Sequence, residues 1–352
     1  MEEENNNLLE DDFDFVEHYG AEIEVDHELQ LPENTVPSAL NCAFIGVGGG
    51  GGKMAKAFLD LGFNKTLLIN TTEKDQPENV DPKNLVLIPD ADGVAKDIDY
   101  GKMVFENNGA VVEDALRTRL GKVDWLFVLA GGGGGSACSS LHNVFERYLK
   151  SVGADGRVVY IVSWPTAQEL LNPTIAKNAL SLVNSVSGNP YIVVNNEQQV
   201  QLLRGKVGML DMFPVANKTF AKLFSQVLKL SSENSPVQTF DSKDLTSCLK
   251  TEGRIFLGST VVQEPKDPNL GATIFQNCLK RSPCSIPKGK PKTGAMLLVV
   301  TPEMASDPEV SKHLDAAMSY VGGRTETLFS GVYIKNKLPG LVAILTMSGI
   351  EE

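Results

Sequence analysis

The sequence predicts an α/β protein: a doubly wound, parallel sheet followed by a second, smaller α/β unit. Three observations predict it. From Leu40 onward, short β-branched apolar runs alternate with helix-length amphipathic segments. Two glycine-rich segments, one beginning at Gly46 and one at Gly131, each follow an apolar run and precede a helical pattern. With 352 residues, 42% apolar and 22% charged, the chain can bury a substantial core in each of two units.

The elements are read in order. Strands are predicted over 41–46 (NCAFIG), 66–70 (TLLIN), 85–88, 124–129 (DWLFVL), 157–162 (RVVYIV) and 190–194 (PYIVV), with helices in the gaps. A long helix follows at about 209–231, where Phe213, Ala216, Phe220, Leu223, Val227 and Leu230 recur at three- and four-residue spacing. Further strands are expected at RIFLGSTVV, 294–300 and 341–347, with helices near 269–280 and 306–320. The Pro/Lys-rich stretch 281–293 is expected as a surface loop. The predicted division is an arm over 1–38, an α/β domain over 39–208, the central helix 209–231, a loop and helix over 232–252, and a C-terminal α/β domain over 253–352.

Charge is unevenly placed. The formal net charge is −12, yet residues 1–40 hold 13 Asp and Glu with no Lys or Arg, leaving 31 acids against 32 bases beyond them. The acidity therefore belongs to the arm, which is expected to be solvated and mobile. Phe13, Phe15, Tyr19, Ile23, Val25, Leu29 and Leu31, several alternating with acids, also suit a strand or docking peptide, and composition alone leaves both readings open. Neither part has the basic footprint of a nucleic-acid binder, so direct binding of that kind is not expected. No run approaches the roughly 18 to 20 apolar residues of a membrane span, and the acidic start is no export signal, so no direct membrane insertion is expected. Five scattered cysteines without C-x-x-C spacing fit a reducing compartment such as the cytoplasm.

Glycine after a strand lets backbone N–H groups approach a phosphate, and the helix that follows adds unpaired donors and a favourable dipole. The run Gly46-Val47-Gly48-Gly49-Gly50-Gly51-Gly52-Lys53 has this setting. It is no Walker A loop, since no G-K-[ST] closes it. Alone it suits a dinucleotide enzyme nearly as well as a nucleoside triphosphatase. Ala130-Gly131-Gly132-Gly133-Gly134-Gly135-Ser136-Ala137 repeats the arrangement, and two such turns are expected where a triphosphate is gripped from both sides. An ordinary oxidoreductase would also place an acid after the second strand to hold ribose, where this chain has Asn70-Thr71-Thr72.

In these residues the sequence resembles the tubulin and FtsZ superfamily of filament-forming GTPases. The first segment is similar to the FtsZ first phosphate loop and the second to the G-G-G-T-G-[ST]-G tubulin signature. Further matches fall in chain order. Asn70-Thr71-Thr72 resembles the N-T-D loop, and Gly93-Val94-Ala95-Lys96-Asp97 the third loop, near the γ-phosphate. Pro165-Thr166-Ala167-Gln168-Glu169 resembles the fifth loop, Asn195-Asn196-Glu197 the stretch whose Asn touches the base, and Leu210 to Asn217 the head of the central helix. Thr239-Phe240-Asp241-Ser242-Lys243-Asp244-Leu245 is similar to the N-x-D-x-x-D catalytic loop.

The resemblance implies a GTP/GDP site with Mg²⁺, lined by Gly48, Gly49, Gly50, Gly51, Thr71, Thr72, Asp97, Gly131, Gly132, Gly133, Gly134, Gly135 and Ser136. Glu169 would hold the ribose, while Asn196, Phe213 and Asn217 would hold the base; Phe213 and Asn217, four apart, share a helix face. Asp241 and Asp244 would be catalytic, serving the nucleotide of a neighbouring copy in a head-to-tail homopolymer. Departures from the pattern are Gly134 for the signature threonine, Ala137 for its last glycine, Asp97 for asparagine, Leu171 for arginine and Thr239 for the loop asparagine. They raise the alternative of a nucleotide-binding filament with little hydrolysis. The sequence ends soon after the last predicted strand, so the adaptor-binding tail of division FtsZ proteins is not expected, and cell division stands beside DNA or particle positioning as the expected role. The acidic arm is then the candidate for recruiting an adaptor or a neighbouring filament.

Overall fold

The computed structural model describes residues 30–89, 91–134 and 138–351. The expected arm over 1–29, and Gly135, Ser136 and Ala137, lie outside the described residues.

The first half alternates strand and helix: β1 (Cys42–Val47), α1 (Gly48–Leu59), β2 (Thr66–Asn70), β3 (Leu85–Leu87), α2 (Ile98–Asn107), α3 (Gly109–Ala115), β4 (Trp125–Gly131), α4 (His142–Ser151), β5 (Val158–Trp164), α5 (Pro173–Val186), β6 (Pro190–Asn195) and α6 (Asn196–Leu203). Helix α7 (Met212–Leu230) and α8 (Ser242–Lys250) lead to β7 (Gly253–Val262), α9 (Leu270–Arg281), β8 (Thr293–Val300), α10 (Pro302–Ser306), α11 (Pro308–Gly322), β9 (Thr327–Ile334) and β10 (Leu341–Ile350). Among the described residues, ten strands form one sheet in the order β3-β2-β1-β4-β5-β6-β7-β10-β8-β9. Pairing from β3 to β7 is parallel; β10 runs antiparallel to both β7 and β8, and β9 is parallel to β8. The mostly parallel α/β architecture matches the sequence prediction.

Successive side chains of a strand face opposite layers, and β1 shows why the sheet is sealed on both sides. Cys42 and Phe44 enter one core, which includes α7 and most of the second half, while Ala43, Ile45 and Val47 enter the other. Phe44 is the centre of an aromatic cluster, stacked on Phe58 at 4.0 Å between centroids and packed edge-on to Phe63 at 4.9 Å. Phe224 of α7 meets Phe127 edge-on at 4.9 Å, fastening the long helix to the sheet. The Ala39 amide donates to the Leu228 carbonyl at 3.2 Å, which places the end of α7 beside the start of β1. Helix α7 therefore runs from the carboxyl edge of the parallel strands to their amino edge.

Four features differ from the sequence expectation. The ladder is continuous across residue 253, because β6 pairs with β7 from Pro190–Gly253 to Ile192–Ile255. The rest of β6 has lost that neighbour, and the stretch expected as a surface loop repairs it. Asn195 N donates to Pro283 O, Ser285 N donates to Val193 O, and Ser282 and Cys284 are buried. Exposed there, those strand groups would have been left to water. Strand β9 escaped the sequence reading because a sheet-edge strand needs no continuous apolar run, and Ser330 and Gly331 interrupt this one. Last, the mobility expected of the arm does not extend over 30–38: Leu31 and Val36 are buried, Thr35 N donates to Gly62 O, and Glu33 pairs with the buried Lys65 at 2.6 Å.

All five cysteines are free and buried; burial pushes the Cys42 and Cys138 thiols up to about 12. Among the described residues no helix is long and apolar enough to cross a membrane.

The aromatic cluster sets a measurable expectation. Phe44→Ala should lower the unfolding free energy by about 3–5 kcal/mol in urea titration, the cost of removing a fully buried phenyl ring.

Candidate functional site

The carboxyl edge of the parallel strands gathers most of the predicted site residues. The first glycine run is no free loop: Gly48, Gly49 and Gly50 are the first turn of α1. Gly48 has φ +70°, a left-handed conformation that a side chain would strain, and it lets the chain turn from β1 into the helix without a spacer. No side chain caps this N-terminus and no acid lies in its first turn, so its donors stay available to an anion. Like Gly48, Gly51 is buried. A Cβ there would overlap the Leu129 carbonyl oxygen, so this glycine serves close helix-on-sheet packing.

The second glycine segment meets the first. Gly131 ends β4, and a Cβ on Gly50 would lie 3.1 Å from the Gly131 Cα. Gly132 donates to Ser163 O at 2.9 Å, while Gly133 and Gly134 continue the turn over α5. Two chain segments about 80 residues apart thus form one cradle, which any side chain would fill.

The remaining loops close round it. Thr71 is buried, and its carbonyl accepts from Gly93 at 2.9 Å. The Thr72 hydroxyl donates to Asp92 at 3.2 Å, and Lys74 pairs with the same carboxylate at 2.9 Å. The Lys74 ammonium holds the Asp92 carboxyl below its ordinary range. The third loop bends through left-handed Ala95 (φ +47°) and Lys96 (φ +63°). Asp97, which the resemblance places near the γ-phosphate, caps α2. Its carboxylate accepts from Asp99 N and Tyr100 N, both at 3.0 Å, because a helix N-terminus is the nearest set of unpaired donors.

Glu169 is exposed and bonds its own loop. One oxygen, Oε2, accepts from Thr166 N at 2.7 Å and from its hydroxyl at 2.9 Å. Asn196 is the first residue of α6, capped by Asn195, whose Oδ1 accepts from Gln198 N at 3.1 Å. Phe213, 41% exposed, and the half-buried Asn217 stand one turn apart at the head of α7, a helix that also contacts α6.

Three residues with no role in the sequence reading help build this edge. Glu197 accepts from Ala167 N at 2.9 Å, tying the fifth loop to α6, and that bond holds its carboxyl below the usual range. Gln199, 3% exposed, has neither its amide nitrogen nor its oxygen bonded, an orphan pair three residues after Asn196. Asn178, 2% exposed, bonds two loops. A signal existed for Asn178, which interrupts the apolar stripe formed with Ile175, Ala179, Leu182 and Val186.

The glycine cradle, the uncapped helix N-terminus and the orphan amide fit a nucleotide's phosphates and base. For Mg²⁺ the fit is narrower. Among the described residues no group of three or more His, Cys, Asp or Glu converges to hold a metal. Asp75 is an acid beside the cradle, its side chain against Gly49. A magnesium ion there would depend on phosphate oxygens as well, its usual mode.

Asp241 and Asp244 are not brought to this edge. The 19-residue α7 separates them from it, a rise of about 28 Å. They form a reciprocal capping box: Asp241 accepts from Lys243 N at 2.7 Å and Asp244 N at 3.0 Å, and Asp244 accepts from Asp241 N at 3.3 Å. Partial burial, then the Asp241 charge, raises the Asp244 carboxyl above its ordinary value, against the opposing pull of the Asp241 amide. The preceding loop is moored to β9, where Tyr333 OH meets both N and O of Phe240 at 3.1 Å.

These roles separate in a simple test. Gly51→Ala should cost about 1–3 kcal/mol of unfolding free energy, because the clash is with backbone. Gly133→Ala should cost less than about 1 kcal/mol, since its Cβ would meet side chains and no backbone, Ile175 Cγ2 at 3.2 Å and Pro165 Cγ at 3.7 Å. Parallel urea titrations check both.

The comparisons with known proteins cover the same span. No protein-family model matches the chain. "Cell division protein FtsZ 2" of Pyrococcus furiosus is 21% identical over 350 residues, 95% of this chain and 83% of that protein. A GTPγS-bound protofilament of CetZ2 from Haloferax volcanii superposes with TM-score 0.70 at 22% identity, covering 89% of this chain and 94% of that one. A GTPγS-form protofilament of TubZ from Bacillus thuringiensis serovar israelensis gives 0.72 at 16% identity, over 90% and 88%. With strand order, glycine cradle and central helix all in place, the chain has the fold of the tubulin/FtsZ superfamily, as the order of its motifs implied.

Proposed function

We propose that this protein is a GTP-binding, filament-forming GTPase that polymerises head to tail and hydrolyses GTP where two copies meet. One observation carries the reading: the cradle and the two acids of Asp241-Ser242-Lys243-Asp244 lie at opposite edges of one sheet, a helix length apart. A head-to-tail contact would bring one copy's acids to the next copy's cradle, and a heterologous contact that does not close into a ring extends into a filament.

The chain's residues would then divide the work. Backbone N–H groups of Gly48, Gly49 and Gly50, with the turn after Gly131, would hold phosphate oxygens and oppose the charge that develops there. Phe213, Asn217 and Asn196 would hold the base, and Glu169 the ribose through the oxygen its cap leaves unused. The neighbour's Asp244, with Asp241, would orient the attacking water and take its proton. Mg²⁺, when bound, supplies further neutralisation of phosphate charge. Residues 39–208 would form the GTP-binding unit, 209–231 the connecting helix, 232–252 the catalytic segment and 253–352 the C-terminal unit. The setting we propose is the cytoplasm, with a role in cell division or in DNA or particle positioning, and with the acidic arm recruiting an adaptor or neighbouring filament.

A second reading, a nucleotide-holding filament with little hydrolysis, is favoured by the capping box, which engages both carboxylates in their own helix. Turnover decides between them. Under the first reading GTP turnover per subunit rises with protein concentration, and Asp241→Ala or Asp244→Ala abolishes that rise while GTP affinity stays within twofold. Turnover near background at every concentration selects the second, and a dilute monomer as fast as a crowded sample overturns the split site.

Acidity gives an independent check. A base must be deprotonated to act, and Asp244 is raised, so turnover should fall on acidification through a midpoint above the ordinary aspartate range. Asp244→Asn should remove that limb along with the assembly-dependent activity.

A further inference from the structure

We propose that Asn178 is the positioning residue of the phosphate site, a buried amide that locks the third loop against the second glycine turn so that the two present their backbone groups as one surface. This rests on the GTP site proposed above and names what sets its geometry.

The argument begins with α5. Pro173 at its start and Asn172, whose Oδ1 accepts from Thr174 N at 3.0 Å, fix where the helix begins and hence which residues face the glycine turn. Ile175, Asn178 and Ala179 share a face at i, i+3 and i+4. A Cβ on Gly133 would meet Ile175 Cγ2 at 3.2 Å, and one on Gly132 would meet Ala179 Cβ at 3.5 Å. The turn therefore lies directly on this face, with Asn178 between its two apolar supports.

Asparagine is a poor choice for that place by helix propensity, and a buried amide is costly unless bonded. Asn178 is bonded twice through one nitrogen: Nδ2 donates to Lys96 O at 2.8 Å and to Gly134 O at 3.1 Å. Those carbonyls belong to loops 38 residues apart, one before α2 and the other after β4, so the side chain bridges the two ends of that whole segment. The Lys96 bond falls where restraint is needed most. Ala95 and Lys96 are consecutive left-handed residues, an arrangement that costs about 1–3 kcal/mol at each and persists only where the surroundings hold it. Asp97 then caps α2 on the far side, so the strained corner is pinned at both ends. With the clamp gone, the corner is free to relax and its separation from the glycine turn is no longer fixed.

The test compares wild type with Asn178→Ala and Asn178→Asp. Aspartate keeps the shape but offers carboxylate oxygens to two carbonyls, so it should behave at least as badly as alanine, an order that loss of packing alone would reverse. In nucleotide-free protein, amide hydrogen exchange at 93–97 and at 131–134 should speed up together by about tenfold, with the strands unchanged. GTP affinity, titrated where melting curves show each variant fully folded, should fall about tenfold or more. Exchange that rises in one loop alone or in neither, or affinity within twofold of wild type in a folded variant, overturns the proposal. If alanine fails to fold, the aspartate variant is read by the same two measurements. If neither variant folds, Asn178 is a structural residue and the proposal falls. A wild-type protein that binds no GTP removes the proposed function, and with it the positioning role, even if exchange reveals the clamp.

Discussion

Parallel pairing from β3 to β7 is the constraint on which the rest of the molecule depends. Parallel strands must each be followed by a crossover, so each delivers its carboxyl end to the same edge of the sheet. Here that edge receives the cradle of Gly48 to Gly50 and Gly131 to Gly134, the loops after β2 and β3, the fifth loop and the head of α6. A ligand site at this edge is a property of the topology before any side chain is considered.

Helix α7 imposes the opposite condition on the acids. Its contacts with α1 and the aromatic cluster hold it lengthwise along the sheet, so whatever follows Leu230 emerges at the amino edge. Asp241 and Asp244 follow. Their distance from the cradle is enforced by the same core that stabilises the fold, since shortening it would require stripping Phe224 from Phe44, Phe58 and Phe127. Core packing and the separation of the site are one fact seen from two sides.

The cradle edge also shows how a site rich in charge and strain is kept in order. Asp97 and Glu169 at this edge, like Asp241 and Asp244 at the opposite one, direct a carboxylate oxygen to backbone amides of their own segment. These bonds fix the local turn and leave the second oxygen of each carboxylate outside it. The left-handed corner at Ala95 and Lys96 is secured from outside by a residue of α5. Local bonds thus shape individual loops, and the spacing between loops comes from elements far away in the chain.

How much of this was legible in the sequence follows from the range of each interaction. Strand and helix positions, the two glycine turns and the long central helix were readable because periodicity and glycine placement are local, and the order of motifs was enough to indicate the fold. The same locality explains the misses. The capping role of Asp97 and the tight packing of Gly51 against β4 could not be read from the sequence, because each depends on a partner that local pattern does not reveal. Strand β9, the buried 282–284 segment and the strap over 30–38 depend on which edge or face needed covering. The sequence by itself determined the class of fold, the chemistry available and the order in which it occurs along the chain. Only the tertiary structure decided which of those residues face one another, because a parallel sheet joins strands that are distant in sequence, and a rigid helix holds apart residues that are near.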